Sequence, residues 1–232
     1  MSKAGKIPSG LFPAKGTADF RRIVGQRPKR RFYLIVCEGE ETEPNYFEAI
    51  RRCLPREMVK RVTIQGTGRN TLSLVSYVET LVEKRRAQSL PPFYEIWIVL
   101  DRDSFPAEDF DNAINQINQR SCSAGGNKWF AAWSNEAFEL WYLLHFTDQT
   151  GGPIHRDEYA TKLSAFMGRP YKKNASDMFD TLRGRTLEAI QRAERGHRIL
   201  LKQNVSYHQM NPATTVYQLV RELLSYMDCT PE

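Results

Sequence analysis

LIVCEGEETEPNYFEAI, residues 34–50, decides the reading of the fold. An apolar run of strand length breaks off into carboxylates, and a helical pattern follows. Taken from its start, RFYLIV (31–36) is aromatic and β-branched with no polar alternation, so it reads as a strand buried on both faces in the middle of a parallel sheet. Glu38 and Gly39 make the turn. Thr42 is the expected N-cap, Pro44 falls in the first helical turn, and Tyr46, Phe47 and Ile50 recur at helical spacing.

The same unit recurs downstream. VTI (62–64) is a short second strand, followed by the loop QGTGRN and a helix from about 71 to 88 whose inward stripe is Leu72, Val75, Val78 and Val82. YEIWIVL (94–100) is a third strand ending in Asp101, Arg102 and Asp103. Pro106 opens a helix with Phe110, Ile114 and Ile117 inward. WFAAW (129–133) is a fourth strand, and SNEAFELWYLLHF (134–146) reads as an apolar helix capped by Ser134 or Asn135. Strands alternating with helices predict an α/β sheet of about four mainly parallel strands joined by right-handed crossovers. After the GG pair at 151 and 152 the pattern is helical alone, at about 156–167, 174–196 and 212–228. Three regions follow: a basic, poorly ordered segment 1–30, an α/β domain 31–150, and a helical region 151–232 packed on it.

Residues 1–31 hold nine Lys or Arg against one acid, Asp19, in a chain of net charge +6. This imbalance favours a polyanionic partner over a membrane surface, because the basic residues lie on no amphipathic helix. No apolar run approaches the roughly 20 residues that span a bilayer, and the basic start lacks the apolar core of a signal peptide. The expected compartment is the cytoplasm. Cys37, Cys53, Cys122 and Cys229 form no CxxC pair, which argues against a zinc ribbon or redox dithiol, and they read as space-filling thiols.

In open parallel sheets the ligand site lies beyond the carboxyl ends of the strands. Glu38 follows the first strand and Asp101 and Asp103 the third, so three carboxylates are expected to converge. Carboxylates that close raise one another's pKa unless a cation neutralises them, and hard oxygen ligands suit Mg²⁺ or Mn²⁺ rather than zinc. In extended chain Asp101 and Asp103 share a face while Arg102 points away. The plainer reading is that both aspartates cap the next helix. Glu40, Glu41 and Glu43 read mostly as a solvated helix N-terminus, one of them available for a second ion. GTGRN lacks the GKS or GKT ending of a P-loop and reads as a strand-to-helix turn, with Arg69 a candidate nucleic-acid contact.

CEGEETEPNYF, LDRD, SNEAFELWYLLHF and NPATTVYQLV together, in this order and spacing over about residues 30–228, resemble the RloB-like (abortive-infection) family, which is similar to Toprim proteins. The resemblance implies that Glu38 is the Toprim glutamate and Asp101 with Asp103 its DxD pair, all binding Mg²⁺. It also implies a role in phage defence, often beside an ATPase encoded in the same operon. Within the apolar SNEAFELWYLLHF stretch, Glu139 must be paired, as a further metal ligand or base or in a salt bridge. His145 reads as a hydrogen-bonded core histidine. Lys172, Lys173, Arg195 and Arg198, with Arg183, Arg185, Arg192, His197 and Lys202, are candidates to track a phosphate backbone, with Tyr171 available to stack on a base, or else a solvated helix face. The expected function is Mg²⁺-dependent phosphodiester hydrolysis of DNA or RNA, with Glu38, Asp101, Asp103 and Glu139 as catalytic residues. Two alternatives stand beside it: a non-catalytic module that binds nucleic acid or an ATPase, in which the acids are vestigial or structural, and nucleotidyl transfer of the primase kind, which uses the same pocket.

Overall fold

The computed structural model describes residues 31–103, 106–121, 127–148 and 152–227. The basic segment 1–30, Cys122 and Cys229 lie outside the described residues. Four parallel strands, β1 (Tyr33–Cys37), β2 (Val62–Gly66), β3 (Glu95–Asp101) and β4 (Lys128–Asn135), form a sheet in the order β2-β1-β3-β4. A two-residue β5 (Ala213–Thr214) closes the far edge antiparallel to β4. The architecture is α/β and Rossmann-like, as expected, with one strand more than expected.

β1 is apolar throughout because both of its faces are covered. Leu34 and Val36 pack with residues of α3 (Thr71–Ala87) and α4 (Ala107–Ser121). Tyr33, Ile35 and Cys37 pack on the opposite side with α1 (Thr42–Arg52), α2 (Arg56–Val59), α5 (Glu139–Leu143), α6 (Arg156–Met167), α7 (Met178–Leu182), α8 (Thr186–Leu201) and α9 (Val216–Leu224). The C-terminal helices thus share their core with the first strand. Cys37 is buried there, whereas Cys53 is exposed and fills no space. No helix among the described residues is long and apolar enough to cross a membrane.

The connection from β1 leads to β2 on one side, and the next connection crosses over β1 to β3 on the other. Strand order reverses at that point, which opens a crevice beyond the carboxyl ends of β1 and β3. The two strands are in direct register, Cys37 opposite Val99, and the Glu38 N–H donates to the Val99 carbonyl at 2.9 Å.

Four expected boundaries move. Ser134 and Asn135 are not helix caps; they are the end of β4, paired with Thr214 and Ala213. The Thr215 hydroxyl accepts the Trp133 N–H at 2.9 Å and donates to the Ala131 carbonyl at 3.0 Å, and the Asn135 amide donates to the Tyr207 and His208 carbonyls. These contacts extend the strand and shorten the following helix to five residues. NPATT is accordingly extended chain, and its helix starts only at Val216. The 174–196 helix is two helices separated by a 3-10 turn at Arg183–Arg185. Thr42 is the first residue of α1 rather than its cap.

Candidate active site

A cavity of about 790 Å³ occupies the crevice, lined by Glu38, Glu43, Asp101, Asp103 and Glu139 together with Arg69, Arg156 and Lys173. Glu38 and Asp101 meet on its floor. One oxygen of Glu38 accepts the Asp101 N–H at 3.2 Å and the other accepts the Thr71 hydroxyl at 3.0 Å, so the ends of two strands and the first turn of α3 set this side chain. Burial, opposed by those two hydrogen bonds, pushes the Glu38 carboxyl up to about 7. Asp101 Oδ2 accepts the Phe138 N–H at 2.9 Å, while Oδ1 is buried without a hydrogen-bond partner. Burial first, then the nearby carboxylates of Glu43, Glu139 and Glu38, hold Asp101 well above the usual carboxylate range.

Glu43, read in the sequence with Glu40 and Glu41 as a mostly solvated helix start with one of the three available for a second ion, lines the cavity. It is only 5% exposed, not part of a solvated helix end. Burial raises its pKa and Glu139 raises it further, against the stabilising backbone N–H groups of Glu43 itself and Gly39. A Cβ at Gly39 would overlap the Glu43 carboxylate, so a larger residue there must displace that side chain. Gly68 (φ 60°) closes on the Glu40 side chain. The glycines of GTGRN thus serve close packing of that loop against the acidic turn. The sequence signal for Glu43 was Pro44 and Tyr46 beside it, which place this turn of helix against the core.

Asp103 departs from the extended-chain argument. Its φ is +47°, its N–H donates to the Glu136 carbonyl at 3.0 Å, and its carboxylate pairs with Arg156. It lines the cavity without sharing a strand face with Asp101. Arg102 approaches Glu136 at 3.7 Å. Glu139 is half-buried, and its partner is neither an arginine nor a lysine: the Tyr171 hydroxyl donates to it at 2.9 Å. Tyr171 thus engages Glu139 through its hydroxyl while its ring packs edge-on against Tyr142. The segment that carries it, 168–177, straps onto α1. The Thr42 hydroxyl donates to Asn174 Oδ1 at 2.9 Å, the Asn45 amide donates to the Asn174 carbonyl at 3.1 Å, and Lys173 is thereby brought to the cavity.

Of the basic residues singled out in the sequence, Arg69 and Lys173 reach the cavity, and Arg69 lies over the Tyr77 ring at 4.3 Å. Lys172 is exposed beside it and does not line it. Arg195 and Arg198 do not line this cavity: both sit on α8, Arg195 paired with Asp148 at a different cavity and Arg198 paired with Glu194 at 3.3 Å. His145 is a core residue whose Nδ1 lies 2.9 Å from the Trp141 carbonyl, and burial lowers its pKa to about 4, so it is neutral.

The donor set on the floor is all oxygen, and one buried carboxylate oxygen has no partner, which fits a hard divalent cation. As the side chains stand, no group of three or more His, Cys, Asp or Glu among the described residues is disposed to hold a metal ion. Glu38 and Asp101 are adjacent, Glu43 and Glu139 approach from α1 and α5, and Asp103 is engaged elsewhere. A protein-family model described as RloB-like protein matches residues 33–223 of the chain. No curated protein and no solved structure matches it.

Proposed function

The chain belongs to the RloB-like protein family, and on that premise we propose that it is a Mg²⁺- or Mn²⁺-dependent nuclease of Toprim-like type, the effector of an anti-phage abortive-infection system that works beside an ATPase. The observation that carries this reading is the pairing of Glu38 with Asp101 at the switch point of the sheet, with Asp101 Oδ1 buried and unpartnered. Glu38, Asp101 and the approaching Glu43 and Glu139 would hold the ion. When bound, such an ion would supply an activated water at neutral pH and neutralise charge developing on the leaving oxygen. The chain's own groups orient the site. Thr71 aims Glu38, the Phe138 N–H aims Asp101, and Tyr171 aims Glu139. Arg69 and Lys173 supply positive charge for a phosphate backbone at the mouth of an otherwise acidic cavity.

Cleavage of single-stranded DNA, duplex DNA, RNA and tRNA, each with Mg²⁺ and with EDTA, tests the proposal. The wild type should cut at least one substrate only with Mg²⁺, and Glu38→Gln and Asp101→Asn should lose at least 10²-fold. Full activity in both variants would sink the reading. A second reading, a binding module without chemistry, is favoured by the engagement of Asp103 with Arg156 and by the lack of a ready-made cation cage among the described residues. Equal affinity for nucleic acid in Mg²⁺ and EDTA, with no cleavage, would select it.

A further inference from the structure

Arg156 was not among the residues the sequence singled out, yet it is the cation built most firmly into the cavity wall. Its backbone N–H donates to Glu136 Oε2 at 3.2 Å. The same Glu136 lies 3.7 Å from the Arg102 guanidinium, accepts the Asn211 amide at 3.4 Å, and through its backbone carbonyl receives the Asp103 N–H at 3.0 Å. One residue thereby fixes the start of α6 to the turn that ends β3. The Arg156 side chain is held much more loosely. Among the described residues it pairs with Asp103, and the two side chains are 30% and 35% exposed. A pair that exposed contributes little, so exchanging it for a better anion costs little. A phosphodiester is such an anion: its non-bridging oxygens match the planar guanidinium fork, and charge-assisted, bidentate bonds of this kind are the stronger ones. The other two cations of the cavity are placed differently. Arg69 is stacked on Tyr77, and Lys173 is an exposed residue on the 168–177 strap.

Resting on the nuclease reading above, we propose that Arg156 is a catalytic residue, whose guanidinium leaves Asp103 to bind the non-bridging oxygens of the scissile phosphate. In the step it serves, the oxygen of a water molecule forms a bond to phosphorus while the bond from phosphorus to the leaving ester oxygen breaks, its electron pair staying on that oxygen. The attacking water gives its proton to solvent, and the leaving oxygen takes a proton from solvent. Arg156 transfers no proton; it donates N–H hydrogen bonds and neutralises the charge that builds on the phosphoryl oxygens. A backbone anchored at both Glu136 and α6 lets it do so without reorganisation.

The test compares wild type, Arg156→Ala, Arg156→Lys and Asp103→Asn in single-turnover cleavage with Mg²⁺, and in binding of a phosphorothioate oligonucleotide in Mg²⁺-free buffer. Arg156→Ala should cut 10²- to 10³-fold more slowly, Arg156→Lys should recover part of the loss, and added guanidinium chloride should restore at least ten-fold to the alanine variant alone. Cleavage by Arg156→Ala within three-fold of wild type overturns the assignment. A loss that guanidinium does not restore also overturns it, marking a structural salt bridge. A wild type that cuts nothing overturns the nuclease reading instead. In that event the binding arm decides: at least ten-fold weaker oligonucleotide binding by Arg156→Ala supports Arg156 as a phosphate contact, and unchanged binding overturns it.

Discussion

Two acids on the cavity floor are kept where charge is costly. For Glu38 the folded state retains a proton that the unfolded chain releases at its ordinary value of 4.5, until the pH reaches about 7. The folded state therefore binds more protons throughout that window, and the metal-free protein loses stability as pH rises through it, by about 3 kcal/mol at one pKa unit per 1.4 kcal/mol. Urea unfolding between pH 4.5 and 8 should show this fall in the wild type and a smaller fall in Glu38→Gln. Glu43 is more deeply buried, and its raised pKa has the same sign. Glu43→Gln should therefore stabilise the metal-free protein at pH 8 by about 1–3 kcal/mol, the scale of an uncompensated buried charge, while weakening its hold on Mn²⁺. Glu38 and Asp101 were legible in the sequence because each stands where an apolar strand stops. Glu43 was not, because acids at a helix start are ordinarily solvated and the Glu139 and Lys173 charges that act on it lie far along the chain.

The strap and the NPATT strand are the elements that local pattern hid. Tyr171 looked free because nothing near it in the chain is acidic, and the Glu139 it serves lies on α5. Tyr171→Phe keeps the ring packing against Tyr142 and removes the hydroxyl alone. The cleavage rate should fall about ten-fold with substrate affinity unchanged, on the scale of one hydrogen bond to a charged group. The apolar spacing of SNEAFELWYLLHF suits a helix, and it is the pairing with Ala213 and Thr214 that draws its first residues into β4. Thr215→Val would leave the Trp133 N–H buried and without its acceptor, at a cost of about 1–3 kcal/mol. Chemical denaturation of the variant measures that cost. The conjunction of SNEAF with NPATT in one chain is thus a spatial contact as well as a shared pattern.

At the scale of the molecule, the sheet is legible from four apolar runs and their connections, and so is the position of its crevice. The distribution of positive charge is not, because a run of arginines does not show which carboxylates neutralise it. Arg195 and Arg198 belong to α8 and are paired there, whereas Arg69 and Lys173 reach the acidic cavity. Single-strand affinity measured against salt should separate the two groups. Arg69→Ala and Lys173→Ala should each flatten the log–log slope by about 0.7, the value of one phosphate contact, and Arg195→Ala should leave it unchanged. The central claim is narrower than any of these: Glu38 and Asp101 share one divalent cation. Electron paramagnetic resonance of Mn²⁺ titrated into the full chain tests it most directly. A saturable site in the wild type that is lost in both Glu38→Gln and Asp101→Asn is the predicted result. The same Mn²⁺ binding in the variants as in the wild type, or none in the wild type, would contradict it.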